Sequence, residues 1–138
     1  MANVRDIDDV TALRVWEGVV GRPIEGERIT MALVELEPNA IVPEHRHPNE
    51  QVGIVLRGGG RFRVGQEERE VRPGSTWRIL ADVPHEMHVG PDGAVVIDVF
   101  SPPRADWHAL STVDDWQSTW PADSAGSGPA ASGSAADR

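Results

Sequence analysis

The chain has 138 residues, 39% hydrophobic and 25% charged, with a formal net charge of −9; that is the length and make-up of one globular domain. It contains no cysteine and no lysine, which excludes disulfides, thiolate metal sites, iron–sulfur clusters, cysteine nucleophiles and Schiff-base chemistry. An acidic chain whose 13 basic residues are all arginine is a poor partner for nucleic acid or an anionic membrane.

Residues 1–12 are polar and acidic and read as an N-terminal arm. Met1-Ala2-Asn3-Val4-Arg5-Asp6 lacks the basic start and apolar core of a signal peptide. No apolar run approaches the roughly 18 residues that span a bilayer, so a cytoplasmic address is expected. From residue 13 short β-type runs alternate with turn residues. Strands are predicted at 14–20, closed by Gly21-Arg22-Pro23; at 28–36, ended by Glu37-Pro38-Asn39; and at 51–57, where Gly58-Gly59-Gly60 turns the chain into 61–64. Further strands are predicted at 68–72, 75–79, 85–89 and 94–100, the last stopped by Ser101-Pro102-Pro103. Short strands at intervals of about ten residues, punctuated by Gly and Pro, predict an all-β sandwich or barrel over 13–110. Residues 111–120 form an extension. The remainder, PADSAGSGPAASGSAADR, cannot bury enough apolar surface to offset its ordering entropy, so 121–138 is expected to be disordered.

The chemistry is concentrated in Pro43-Glu44-His45-Arg46-His47-Pro48-Asn49-Glu50-Gln51. In an extended backbone residues two apart share a face, so His45 and His47 can converge on one ion. The flanking prolines keep the stretch out of helix. Gln51 is a third potential ligand, and His85 would have to reach the site across the fold. His88 and His108 read as surface residues.

These residues resemble the first motif of the cupin superfamily: two histidines separated by one residue (His45 and His47), then an acidic position three or four later, filled here by Gln51, then a glycine seven further on, Gly58. The second motif is matched by Gly74 and by His85 after Val83-Pro84. Asn39 and Asp82 stand where the motifs have glycine, and Leu80 and Val89 replace a proline and an asparagine. The resemblance implies a double-stranded β-helix, a jelly-roll barrel, with His45, His47, Gln51 and His85 around one divalent metal ion. Zinc suits that nitrogen-rich set best, with nickel, iron and manganese as alternatives. Gln51 in place of an acid leaves the ion its full charge, a stronger Lewis acid.

Asp98 is the one polar residue in the run Ala94 to Phe100. Burying it requires a partner. It either lines the pocket and moves protons or pairs with Arg104 or a loop amide to tie down the strand end. The stretch from Asp98 to Trp107 resembles two cupin subgroups, one cyclising aromatic polyketides in antibiotic biosynthesis and the other opening and isomerising unsaturated uronates. In the second, an Asp, a Phe and an Arg at the spacing of Asp98, Phe100 and Arg104 sit beside the metal. Trp16, Trp77 and Trp107 either line the pocket or serve as core or dimer contacts; flat aromatic walls suit a planar product. They tip the expectation toward a metal-dependent polyketide cyclase acting on a poly-β-ketone, free or carrier-bound. Asp98 and Arg104 would be its catalytic residues. The uronate enzyme is the alternative, followed by a metal-dependent oxygenase and a non-catalytic small-molecule-binding module. The apolar Val52, Ile54, Leu56 face predicts a homodimer.

Overall fold

A computed structural model describes residues 2–121. The predicted disorder of 121–138 therefore falls, Pro121 apart, outside the described residues. One eight-stranded sheet, antiparallel at every pairing, curls into a barrel. The strands are β1 (Leu13–Trp16), β2 (Val19–Glu25), β3 (Thr30–Leu36), β4 (Ile41–His45), β5 (Glu50–Val64), β6 (Glu67–Val71), β7 (Thr76–Ile79) and β8 (His85–Ser101). The backbone order is β1-β2-β3-β8-β5-β6, with β4 added to β8 and β7 to β5.

Two long strands make the curl. The first half of β5 pairs with β7 and the last third of β8; its second half pairs with β6 and the start of β8. Gly58-Gly59-Gly60 is thus a kink within β5, not the turn that its composition predicts. Gly58 has φ +72, and a Cβ there would lie 2.0 Å from the Gly93 carbonyl oxygen, so the backbones meet where only glycine fits. Opposite it, Gly90-Pro91-Asp92-Gly93 bends β8 without interrupting it.

At the other end the predicted strand 14–20 is a hairpin, turned by Glu17-Gly18 with Gly18 at φ +76. Gly21-Arg22-Pro23 does not close it but continues β2. The β1 pairing ends at Gly21, so Pro23 sits on a free edge and needs no amide donor on that side. β4 is not among the predicted strands because Pro43 interrupts its short apolar run. Asn39 and Asp82 both adopt φ +63, keeping the left-handed conformation expected where the motifs have glycine.

The barrel is filled by residues that alternate inward, among them Val19, Val34, Val55, Phe62, Ile79 and Val96. The segment after the barrel is strapped to its outside by Glu35, which is 3% exposed. Its carboxylate accepts bonds from Arg22 Nη1, Trp116 Nε1, Ser118 Oγ and both the amide and hydroxyl of Thr119. A short 3-10 helix, Ala105–Ala109, buries Trp107 and ends the barrel.

A candidate metal centre in the barrel mouth

β4 and β8 bring two of the histidines together directly: His45 and His85 are cross-strand partners, with ring centroids 4.3 Å apart. No long reach across the fold is needed. The loop after β4 turns His47 into the same space, 5.0 Å from the His85 ring, and Gln51 enters from the start of β5. One potential ligand atom from each of His45, His47 and His85 lies within 4.8 Å of the others.

Each ring is aimed by its other nitrogen. Nδ1 of His45, His47 and His85 lies 2.7, 3.0 and 2.9 Å from the carbonyl oxygens of Pro43, Asn49 and Val83. A carbonyl only accepts, so Nδ1 donates and Nε2 keeps its lone pair. Burial lowers all three imidazole pKa values, that of His85 to about 4, which keeps the rings neutral as ligands must be. His85 Nε2 is fully buried with no hydrogen-bond partner. An orphaned acceptor among neutral, pre-aimed imidazoles fits a divalent ion bound through Nε2, with Gln51 Oε1 as the oxygen ligand.

Asp98 points into this space and is 8% exposed. It does not pair with Arg104. Its Oδ1 accepts 2.8 Å bonds from Gln51 Nε2 and Trp77 Nε1. Burial raises its pKa to about 6 against the opposing pull of those two bonds and of the Arg104 charge. Arg104 pairs instead with Asp106, through Nε at 3.0 Å and Nη2 at 2.9 Å. Its guanidinium lies over Phe100 and Trp107, 4.7 and 5.1 Å from the ring centres.

One cavity of about 450 Å³ is lined by the three histidines, Gln51, Asp98, Phe100, Arg104 and Trp16, Trp77 and Trp107. The tryptophans differ in what they do there. Trp16 sits 5.2 Å from the His45 ring at the rim. Trp77 packs edge-on against Phe62 and spends its N–H on Asp98. Trp107 is buried behind Phe100. His88 and His108 lie outside, paired with Glu86 and Glu25.

Three residues of the site carry no sequence signal strong enough to single them out. Asn49 donates to the Pro102 and Pro103 carbonyls while its own carbonyl holds His47, so it pins the ligand loop to the end of β8. Asp106 orients Arg104. Gly53 lies between Trp77 and Asp98. All three act through positions that only the folded chain brings together.

A curled antiparallel sheet with a histidine triad in its mouth defines a barrel whose three imidazoles could hold a metal ion. Residues 32–100 match the family model described as Cupin domain, and the chain belongs to that family. It is similar to the pectin degradation protein KdgF of Dickeya dadantii (strain 3937): 31% identical over 108 residues, which cover 73% of this chain and 94% of that protein. Among solved structures it is similar to KdgF from Halomonas sp., with a TM-score of 0.70 at 21% identity over 77% of this chain and 98% of that one. An RmlC-like cupin from Shewanella frigidimarina NCIMB 400 gives a TM-score of 0.71 at 20% identity, covering 77% of this chain and 96% of that one. Among the described residues no helix is long and apolar enough to cross a membrane.

Proposed function

We propose that this chain is a metal-dependent enzyme that opens the ring of an unsaturated uronate. The observation that carries this reading is the cavity in which Asp98, Phe100 and Arg104 stand beside the three histidines and Gln51, the set named by the resemblance to the uronate subgroup. Similarity to a pectin degradation protein supports the same class. It displaces polyketide cyclisation as the leading reading.

The imidazoles of His45, His47 and His85 and the Gln51 oxygen would hold the ion, zinc suiting them best, which when bound polarises a substrate oxygen as a Lewis acid. Arg104, with Nε and Nη2 committed to Asp106, keeps Nη1 for the substrate carboxylate. Asp98 Oδ1 is occupied by Gln51 and Trp77, which leaves Oδ2 to handle protons. Asp98 takes the proton of the anomeric hydroxyl as the carbonyl forms and the bond to the ring oxygen breaks. It then returns a proton to the adjacent carbon of the resulting enol, so the reaction is an isomerisation with no net gain or loss. A carboxyl raised to about 6 both takes and gives protons near neutral pH. Metal-replenished protein incubated with unsaturated galacturonate should abolish the ultraviolet absorbance of its conjugated double bond. Persistent absorbance would contradict the reading.

The apolar part of the cavity lining favours a second reading. Val34, Leu36, Met87 and Val96 line it with apolar surface, which suits a poly-β-ketone, free or carrier-bound, better than a sugar acid. The same residues would enolise a ketone for aldol closure. Turnover of a poly-β-ketone with no action on the uronate would select this reading. We further propose a homodimer through the outer sheet face, where Met31, Val52 and Ile54 are 39%, 47% and 37% exposed.

A further inference from the structure

Trp77, Gly53 and Asp98 form one cross-strand row, Gly53 of β5 facing Trp77 of β7 on one side and Asp98 of β8 on the other. The Trp77 indole N–H reaches Asp98 Oδ1 at 2.8 Å by passing over Gly53. A Cβ on residue 53 would lie 2.3 Å from Trp77 Nε1 and 2.5 Å from Asp98 Oδ1. Any side chain there, even a methyl group, would occupy the path of the bond. On the far side of the carboxylate, Gln51 Nε2 donates to the same oxygen at 2.8 Å. Asp98 Oδ1 is thus held between two donors, one of which belongs to a residue of the metal set.

The consequence runs toward the ion. A carboxylate accepts and does not donate, so Gln51 must present its amide nitrogen to Asp98 and its oxygen to the histidines. That orientation holds only while the carboxylate keeps its place. The indole has a single donor and no acceptor, so it cannot trade roles with Gln51. Phe62 lies edge-on to Trp77 with ring centres 4.8 Å apart and fixes the indole plane.

We propose that Trp77 and Gly53 are positioning residues for the metal site: across the missing Cβ, Trp77 clamps Asp98, and Asp98 sets Gln51 as an oxygen ligand. Trp77 is then a buried determinant of metal affinity and not a platform on which substrate stacks. The inference rests on the metal reading of the histidine cluster and is independent of which substrate the cavity takes.

The test is zinc affinity of metal-stripped protein, measured by competition with a chromophoric chelator, for wild type, W77F, G53A and the double variant. W77F keeps the ring against Phe62 and removes only the N–H donor. G53A keeps the donor and blocks its path. Each single variant should bind zinc about tenfold more weakly, the lower end of what loss of a supporting hydrogen bond costs a metal site. Because both act through one bond, the double variant should be no weaker than the worse single variant. Two outcomes overturn the proposal: wild-type affinity in a single variant that melts cooperatively, or a double variant in which the two losses multiply to about a hundredfold. If one variant fails to fold, the other decides by itself. Wild-type protein that binds no zinc would instead overturn the metal reading, so the two failures are distinguishable.

Discussion

Gln51 Oε1 lies 3.1 Å from His47 Nε2, and neither atom has a proton to offer the other. His47 donates through Nδ1 to Asn49, and Gln51 donates through Nε2 to Asp98. Burial and the nearby Arg104 charge lower the His47 pKa, so a second ring proton is disfavoured. Two lone pairs held face to face repel unless a cation lies between them, and two ligands at about 2.1 Å from one ion stand about this far apart. Q51E tests the arrangement. The new carboxylate would meet Asp98 where an amide donor now stands, and two carboxyl groups that close cannot both ionise. Expected are retained zinc, turnover reduced by about tenfold or more, and a pH optimum moved upward, as read from kcat/KM against pH. An unmoved optimum would show that the Gln51–Asp98 contact does not govern Asp98.

Removing the charge of Asp98 should stabilise the metal-stripped protein, and more so as pH rises. Its folded pKa of about 6 exceeds the ordinary carboxyl value because burial penalises the charged form. The folded state therefore binds the proton more tightly than the unfolded state. That contribution is complete below the unfolded pKa and is lost as pH rises through about 6. In chemical unfolding, D98N should gain on wild type by about 1–2 kcal/mol between pH 5 and pH 8. The histidines titrate the other way. With pKa values lowered by burial, His85 to about 4, they make the unfolded state the stronger proton binder as pH falls below about 6.5, and they destabilise the stripped fold there in both proteins. A D98N advantage that is flat across this range would contradict the pKa assigned to Asp98.

Much of this site was legible in the chain. The His45–His47 pair, Gln51 and His85 are spaced as a motif, and alternation puts Asp98 and Phe100 on one face. The bends were not legible. Gly58-Gly59-Gly60 and Gly90-Pro91-Asp92-Gly93 have turn composition, yet here such residues kink long strands, because another backbone passes within contact distance. That error also hid why His85 is near His45. With β8 divided, nothing indicated that its first residue pairs with the last residue of β4. Charge alone leaves Asp98 open to a pocket role or to a tie with Arg104 or a loop amide. The folded chain satisfies the carboxylate with neutral donors from Gln51 and Trp77, and gives Arg104 a partner two residues away. Gly53 was silent, since a glycine whose only feature is a missing Cβ leaves no pattern.

Arg104 should govern substrate affinity more than turnover. Its guanidinium donates two bonds to Asp106, which hold it, and lies over Phe100 and Trp107. Lysine reproduces the charge but neither the fork nor the stacking. R104K should raise KM for a carboxylate substrate roughly tenfold, the scale of one charge-assisted hydrogen bond, with kcat changed by less. A fall confined to kcat would place Arg104 in the chemical step.

The exposed sheet face gives an assembly prediction. Val52 and Ile54 pair in register with Val99 and Ile97 of β8, and Val99 pairs in turn with the exposed Met31 of β3, so the apolar strip crosses three strands. Leu56, the third residue of the predicted face, is half-buried at an irregularity of the strand. Light scattering should find wild type dimeric and I54E monomeric with its metal content intact. A monomeric wild type would remove the homodimer.

Elemental analysis of purified protein after zinc replenishment and desalting probes the histidine cluster most directly. One zinc per chain in wild type, and much less than one in H85A, is the predicted result. A wild type that retains no stoichiometric transition metal under these conditions would contradict the account at its root.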